Sequence, residues 1–139
     1  MILTRTELSS LEVADFTTFD SGYEAVFTTI GNVGVKLYQT RKARDFAYKL
    51  QKKAHELEIG PEVGTKFSIQ KNGFRWHGYT TQIAGKPSYE EYEEHIVELE
   101  NKASQIMSTG DLAQSNCGMI NGKLVVIDFG PYSSGSEDC

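Results

Sequence analysis

The turn Asn121-Gly122 is the feature that most restricts the fold of this chain, because short apolar runs flank it on both sides. Asn-Gly is the favoured pair for a two-residue turn between antiparallel strands, since both residues accept the positive φ that such a turn requires. We therefore expect Cys117–Ile120 and Lys123–Ile127 to pair as a β-hairpin. Folding the chain at this turn places Asn116 at the open end of the hairpin, beside Asp128.

Oxygen-bearing side chains converge at that open end. Asp111 lies five residues before Asn116, on the loop that enters the hairpin. A carboxylate beside a carboxamide, with a second carboxylate nearby, suits a hard cation such as Mg2+ and leaves one acid for a substrate. The structural alternative is that Asp128 ends a strand and Asn116 forms a turn.

The segment around this hairpin resembles the catalytic and metal-binding loops of the protein-kinase-like superfamily. The family pattern is His-Arg/Gly-Asp, an Asn five residues after the Asp, and a hairpin that ends in Asp-Phe-Gly. Here Gly110-Asp111, Asn116 and Asp128-Phe129-Gly130 match that pattern in order and spacing. The resemblance implies that Asp111 is the catalytic base or orients the substrate hydroxyl, and that Asn116 and Asp128 bind Mg2+.

A lysine on a predicted strand adds to the resemblance. Glu24–Ile30 and Val33–Tyr38 are rich in β-branched and aromatic residues, which predicts two strands around the turn Gly31-Asn32. Alternation along the second strand points Lys36 away from the face of the valines, although a surface lysine on an edge strand would show the same pattern. The run that ends at Lys36, Val-Gly-Val-Lys, is similar to the Val-Ala-Ile-Lys of kinases, which implies that Lys36 contacts the phosphates of ATP.

The resemblance also implies where the rest of the nucleotide would bind. Gly22 and Tyr23 stand where kinases carry a glycine-rich loop, so Gly22 would approach the phosphates and Tyr23 would fold over the nucleotide; a plain hairpin turn would look the same. The predicted strand Arg75–Ile83 resembles the strand that leads to the kinase hinge. Gln82 to Ala84 would then be the linker whose main-chain amides pair with adenine.

A helix is predicted between the two pairs of strands. Apolar residues recur at helical spacing from about Arg41 to Glu58, and Gly60-Pro61 would stop the helix. Kinases place a glutamate on this helix to hold the strand lysine. The candidates for that role are Asp45, Gln51 and, nearer the end, Glu56.

The next helix has the clearest local start. Pro87-Ser88 followed by Glu91 is a capping box, and apolar residues repeat at three- and four-residue steps from Tyr89 to Ile106. Glutamates fill most of the other positions, as on a solvated helix face; a docking face for a basic partner is the alternative. In a kinase this helix leads straight into the catalytic loop, which is where it stands here.

Length, charge and cysteine content restrict the kinds of protein that this chain can be. A chain of 139 residues is long enough for one domain with its own core, and a formal net charge of −5 argues against general nucleic-acid binding. Nothing in the sequence resembles a transmembrane span or a signal peptide, and Cys117 and Cys139 make no disulfide framework. We therefore expect a cytoplasmic protein that binds neither membranes nor nucleic acids.

Together these features predict an α+β protein with a compact protein-kinase-like fold. An antiparallel sheet with one helix would form an N-terminal lobe over about residues 1–84. One long helix and the catalytic hairpin would form a reduced C-terminal lobe over 85–130, with 131–139 as a flexible tail. That tail cannot supply an activation segment or substrate-binding helices, so the chain resembles minimal kinases of the phage or bacterial type. A homodimer or a partner protein would cover the apolar surface left on the second helix.

Three functions are open to such a chain. The first is an ATP- and Mg2+-dependent phosphotransferase that acts on a hydroxyl of a protein, of itself or of a small molecule. The second is a catalytically weak nucleotide-binding module that regulates a partner protein. The single loop glycine, Gly22, and Thr109, where the family usually has His or Tyr, favour it, and Ala113 is a further departure from the family. The third is an unrelated α+β domain whose motif matches arise by chance.

Overall fold

A computed structural model describes residues 3–10, 26–71, 73–108 and 112–129 of the chain. Within these ranges helices and antiparallel strands are both present, so the protein belongs to the α+β class. In chain order the elements are α1 (Arg5–Ser9), β1 (Val26–Ile30), β2 (Val33–Tyr38), α2 (Arg41–Glu56), β3 (Val63–Lys71), β4 (Phe74–Thr81), α3 (Tyr89–Ala103), a 3-10 turn (Gln114–Asn116), β5 (Cys117–Ile120) and β6 (Lys123–Val126).

Four of these strands form one antiparallel sheet in the order β1-β2-β4-β3, so β2 lies inside the sheet with a neighbour on each side. β2 has the predicted bounds. β4 ends at Thr81, before the predicted Ile83. The ladder stops there because the side-chain oxygen of Gln82, rather than its carbonyl, accepts from the Glu62 N–H at 3.0 Å.

α2 ends two residues earlier than the sequence pattern predicts. Its last residue is Glu56, because Glu58 adopts the left-handed conformation with a φ of 63°. Main-chain hydrogen bonds from Glu58 N–H to His55 O at 2.8 Å and from Ile59 N–H to Ala54 O at 2.9 Å close the end as a Schellman motif. Glycine is the usual residue at that position, so a glutamate there was not expected from the sequence.

α3 begins at the predicted capping box. Ser88 Oγ accepts from the Glu91 N–H at 3.1 Å, and Glu91 Oε1 accepts from the Ser88 N–H at 2.8 Å. The helix ends at Ala103, and a turn carries the apolar repeat on to Met107, which is buried. Across the described segments, every helix is too short or too polar to span a lipid bilayer.

The two faces of the four-stranded sheet are covered by different parts of the chain. On one face, Tyr79 belongs to a large buried cluster that also includes residues of α2, α3 and the β5-β6 hairpin. On the other face, Leu37 and Trp76 pack against Leu8 of α1. Lys36 stands opposite Tyr79 in the strand register, so its side chain lies on the first face.

The β5-β6 hairpin forms as the Asn-Gly pair predicts. Asn121 and Gly122 have φ values of 51° and 80°, as a two-residue turn of this class requires. The paired residues run from Ile120 and Lys123 at the turn to Cys117 and Val126 at the open end.

Main-chain hydrogen bonds attach this hairpin to two connecting segments. In the linker between β4 and α3, Gly85 donates to Met119 O at 2.9 Å and accepts from the Met119 N–H at 2.8 Å. In the loop between α2 and β3, Ile59 O accepts from the Val126 N–H at 2.8 Å. The hairpin is thereby held against both ends of the β3-β4 segment.

Candidate functional site

Lys36 is buried inside the sheet rather than exposed at its edge. Only 7% of the residue is exposed. Its ammonium donates to Oε1 of Gln51 at 3.0 Å and to the main-chain oxygen of Ile127 at 2.7 Å. The alternative of a surface lysine on an edge strand is therefore wrong. Lys36 joins the sheet to α2 and to the end of the hairpin.

Gln51 is the α2 side chain that contacts Lys36. Asp45, another candidate, accepts instead from Arg44 Nε at 2.6 Å. Glu56, the third candidate, is exposed in the last turn of α2. The side chain that holds the strand lysine is thus a neutral amide rather than a carboxylate.

The Gln51 amide is engaged at both ends by buried hydrogen bonds. Oε1 accepts from Lys36 Nζ at 3.0 Å and from the Tyr79 hydroxyl at 2.7 Å. Nε2 donates to the main-chain oxygen of Pro61 at 3.0 Å and to Oγ1 of Thr81 at 2.7 Å. Because an ammonium only donates and a carbonyl only accepts, Lys36 and Pro61 together fix the orientation of the amide.

Tyr79 and Thr81 are members of this network that the sequence did not indicate. The register of β2 and β4 sets Tyr79 opposite Lys36 and Thr81 opposite Gly34. Residues that stand opposite each other on paired strands share a face of the sheet. Alternation within one strand shows which residues share a face, but it does not show which residues of the neighbouring strand stand opposite.

The positive charge of Lys36 lies in largely dehydrated surroundings. Burial lowers the pKa of Lys36 from 10.5 to about 8, and the negative charge of Asp128 partly opposes this shift. The ring centroids of Phe129 and Tyr79 lie 5.0 and 5.9 Å from Nζ. An anion bound beside Lys36 would stabilise its charged form.

Asn116 ends the 3-10 turn at the open end of the hairpin, and Asp128 follows the last paired residues on the other side. Ile127 donates its main-chain N–H to the main-chain oxygen of Asn116 at 2.9 Å, one residue before Asp128. The side chains of Asn116 and Asp128 are both half-buried. Since Lys36 donates to Ile127 O, the lysine and the end of the hairpin belong to one site.

Asn116 and Asp128 supply oxygen donors of the kind that Mg2+ takes. Within the four described ranges, no group of three or more His, Cys, Asp or Glu side chains is placed to hold a metal ion. Asp111, the third member of the predicted set, lies outside those ranges, as do Gly22 and Tyr23. The roles assigned to these three residues stay predictions.

The predicted linker residues Gln82 and Ala84 contact other parts of the protein. Gln82 donates its main-chain N–H to Glu62 O at 2.9 Å, so this group is already used at the end of the sheet. Ala84 packs on the hairpin, where a β-carbon added to Gly118 would lie 2.6 Å from Ala84 Cβ. β5 therefore holds the linker in place.

A scan against protein-family models and a search of curated proteins both find no match for this chain. The contacts of Lys36 with Gln51 and Ile127, and the position of Asp128 beside them, are the observations from which a function can be argued. They combine a buried cation, a nearby carboxylate and a nearby carboxamide, which are groups of the kinds that contact phosphates and divalent cations in proteins.

Proposed function

We propose that this chain is an ATP- and Mg2+-dependent phosphotransferase with a compact protein-kinase-like fold. It transfers phosphate to a hydroxyl of a protein, of itself or of a small molecule. The observation that carries the proposal is the 2.7 Å hydrogen bond from buried Lys36 Nζ to the main-chain oxygen of Ile127, directly before Asp128. This bond brings together a strand lysine and a hairpin carboxylate from distant parts of the chain.

The order of the elements gives separate support. The strand that bears Lys36, β2, comes before α2, and α2 contacts this strand. β3 and β4 complete the sheet after α2. A linker then leads to α3, and the hairpin with Asn116 and Asp128 comes after α3. The family resemblance implies this same succession of lysine strand, helix, hinge strand, helix and catalytic hairpin.

Each site residue has a distinct role in the proposed reaction. Asp128 and Asn116 hold Mg2+ through carboxylate and amide oxygen atoms. Lys36 binds phosphate oxygen atoms with its ammonium. Asp111 orients the acceptor hydroxyl and accepts its proton, the acceptor oxygen bonds to the γ-phosphorus of ATP, and the bond to the β-phosphate oxygen breaks so that ADP leaves. Mg2+, when bound, would neutralise part of the negative charge of the phosphates. Positioning and charge neutralisation suffice, because phosphoryl transfer asks for little covalent chemistry from the protein.

The nucleotide base is assigned to the linker between β4 and α3. Since the Gln82 N–H is engaged within the sheet, the main-chain groups of Ile83 and Ala84 are the ones we assign to the adenine edge. Gly22 and Tyr23 are assigned to the phosphates and to the outer face of the nucleotide, as the resemblance implies.

A catalytically weak nucleotide-binding module that regulates a partner protein is the second candidate. Gln51 favours it, because a neutral amide stands where kinases use a glutamate. Tyr89 and Val97 on α3 are 63% and 66% exposed, and they offer apolar surface to a partner protein or to a second copy. Light scattering that shows a strict monomer at high concentration would count against the second copy.

Label transfer and nucleotide-dependent stabilisation separate the two candidates. The wild-type protein, Asp128→Ala and Asp111→Ala are each incubated with Mg2+ and labelled ATP, and thermal unfolding is measured with and without ATP. A phosphotransferase transfers label in the wild-type form and loses transfer in both variants. Glu94→Ala, which removes an exposed carboxylate of α3, is the control and should leave transfer unchanged.

Two other outcomes decide between the candidates. A thermal shift with ATP but no label transfer favours the nucleotide-binding module over the enzyme. If the wild-type protein shows neither a shift nor transfer, both proposals are wrong.

A further inference from the structure

We propose that Gln51 is the positioning residue for Lys36, and that the site requires an amide rather than a carboxylate at position 51. This inference rests on the proposed function, in which Lys36 binds nucleotide phosphates. By this inference Gln51 positions Lys36 for phosphate binding. The family resemblance alone would treat the absence of a glutamate at this place as a loss of function.

The hydrogen bonds around Gln51 demand a side chain that accepts at one end and donates at the other. At the donating end, the main-chain oxygen of Pro61 has no proton to give. The hydroxyl of Thr81, which accepts from Gln51 Nε2, has main-chain acceptors for its one proton in Glu62 O at 3.3 Å or Gln82 O at 3.2 Å. A carboxylate would therefore set an anionic oxygen against the Pro61 carbonyl, and an attraction would become a repulsion.

The acceptor oxygen of the Gln51 amide holds the ammonium of Lys36. Gln51 Oε1 lies 3.0 Å from the ammonium, which is hydrogen-bond distance. This hydrogen bond orients the ammonium.

Gln51 contacts three parts of the protein, and these contacts fix the position of the Lys36 ammonium. It is fully buried, with 0% of the residue exposed. It contacts β2 through Lys36, β4 through Tyr79 and Thr81, and the loop after α2 through Pro61. The placement of α2 and the placement of the lysine are therefore linked through one side chain before any nucleotide binds.

The binding of Mg-ATP and of adenosine to Gln51→Glu tests the proposal. By calorimetry we expect the affinity for Mg-ATP to fall about tenfold, because a carboxylate repelled by the Pro61 carbonyl cannot hold Lys36 Nζ in place for the phosphates. The affinity for adenosine, which has no phosphate, should stay within about twofold of the wild-type value, since a group that acts only through phosphate leaves it unchanged. Gln70→Glu adds the same charge at an exposed position of β3 and should change neither affinity.

Several outcomes would overturn the proposal. Gln51→Glu that binds Mg-ATP as tightly as the wild-type protein, or more tightly, shows that a carboxylate is acceptable. Equal losses for Mg-ATP and adenosine show a general structural effect. Gln51→Met keeps the length of the side chain without its polar atoms, and it should also lose affinity for Mg-ATP but not for adenosine. If Gln51→Glu does not fold, this second variant decides the matter by the same comparison.

A failure of the proposed function is distinguishable from a failure of this inference. Wild-type protein that binds neither Mg-ATP nor adenosine shows that the nucleotide site is wrong, and the role of Gln51 falls with it. Wild-type protein that binds both, together with variants that do not separate the two ligands, leaves the nucleotide site standing and overturns the role of Gln51 alone.

Discussion

The hydroxyl of Tyr79 lies 2.7 Å from Oε1 of Gln51 and donates to the same oxygen atom that accepts from Lys36. Burial raises the pKa of Tyr79 well above its usual value of 10.0, so the hydroxyl keeps its proton at physiological pH. One amide oxygen thus has a neutral donor and a charged donor. The position of Lys36 depends on Tyr79 through this shared acceptor.

Replacing Tyr79 by Phe should lower the free energy of unfolding by about 1–2 kcal/mol, because the buried hydrogen bonds of its hydroxyl with Gln51 and Tyr38 are lost while the ring stays packed. Urea unfolding followed by circular dichroism measures the change. Tyr89→Phe removes the hydroxyl of a tyrosine that is 63% exposed. This control should change the free energy of unfolding by less than about 0.5 kcal/mol. Equal effects of the two substitutions would contradict a stabilising role for the buried hydroxyl.

Gly118→Ala should loosen the hairpin from the linker. A β-carbon at Gly118 would lie 2.6 Å from Ala84 Cβ and 2.9 Å from Ile127 Cγ2, so the neighbouring backbone would have to shift. We expect the free energy of unfolding to fall by about 1–3 kcal/mol. Gly85→Ala is the matched control, since its β-carbon would lie 3.8 Å from Met119 O, an ordinary contact distance. A control variant that is as unstable as Gly118→Ala would refute this explanation.

Glu58→Gly should raise the free energy of unfolding by about 0.5–1 kcal/mol. Glu58 has a φ of 63°, which is strained for a side chain with a β-carbon and unstrained for glycine. The substitution also removes the 3.2 Å ion pair with Lys123, but both partners are exposed and such pairs contribute little. Chemical denaturation of Glu58→Gly and of Lys123→Met separates the two effects. A loss of stability in Glu58→Gly that Lys123→Met reproduces would show that the ion pair outweighs the strain.

The stability of the protein should rise with pH between about 8 and 9. The pKa of Lys36 is lowered from 10.5 to about 8 in the folded state. Between these two values the unfolded chain binds more protons at this lysine than the folded one, so the free energy of unfolding increases with pH. This contribution is complete above 10.5 and is lost as the pH falls through about 8.

Unfolding of wild-type protein and of Lys36→Met at several pH values tests this dependence, and the substitution should abolish the rise. The interval stops at about 9 because Cys117 acts in the opposite direction above it. Burial raises the pKa of Cys117 from 9.0 to about 11, so its contribution decreases stability as the pH rises through that range. A rise that persists in Lys36→Met would assign it to another group.

The elements that could be predicted from the sequence are those whose determinants are local. The Asn121-Gly122 turn depends on the conformations of two residues, and the capping box at Ser88 closes within one helical turn. The partner of Lys36 depends instead on how α2 is rotated against the sheet. Helical spacing does place Gln51 on the same face as Ala47 and Ala54, which are buried, but it does not show which strand residue that face meets.

Other parts of the site could not be predicted for related reasons. Tyr79 and Thr81 enter the network through the register between β2 and β4, which is set by packing and not by either strand alone. The end of α2 was misplaced because Glu58 adopts a conformation that its residue type disfavours. The register between two strands is a tertiary feature, so no pattern within one strand predicts it.

The three main-chain hydrogen bonds that join the hairpin to Gly85 and Ile59 bear on how a ligand can enter and leave. A bending motion between the four-stranded sheet and α3 would have to break the Val126–Ile59 bond, because this bond joins the hairpin to the loop between α2 and β3. The amide proton of Val126 should then exchange with solvent as slowly as in global unfolding. The proposed nucleotide would then enter and leave through local movements at the edge of its site. A large bending motion between the sheet and α3 would not be needed.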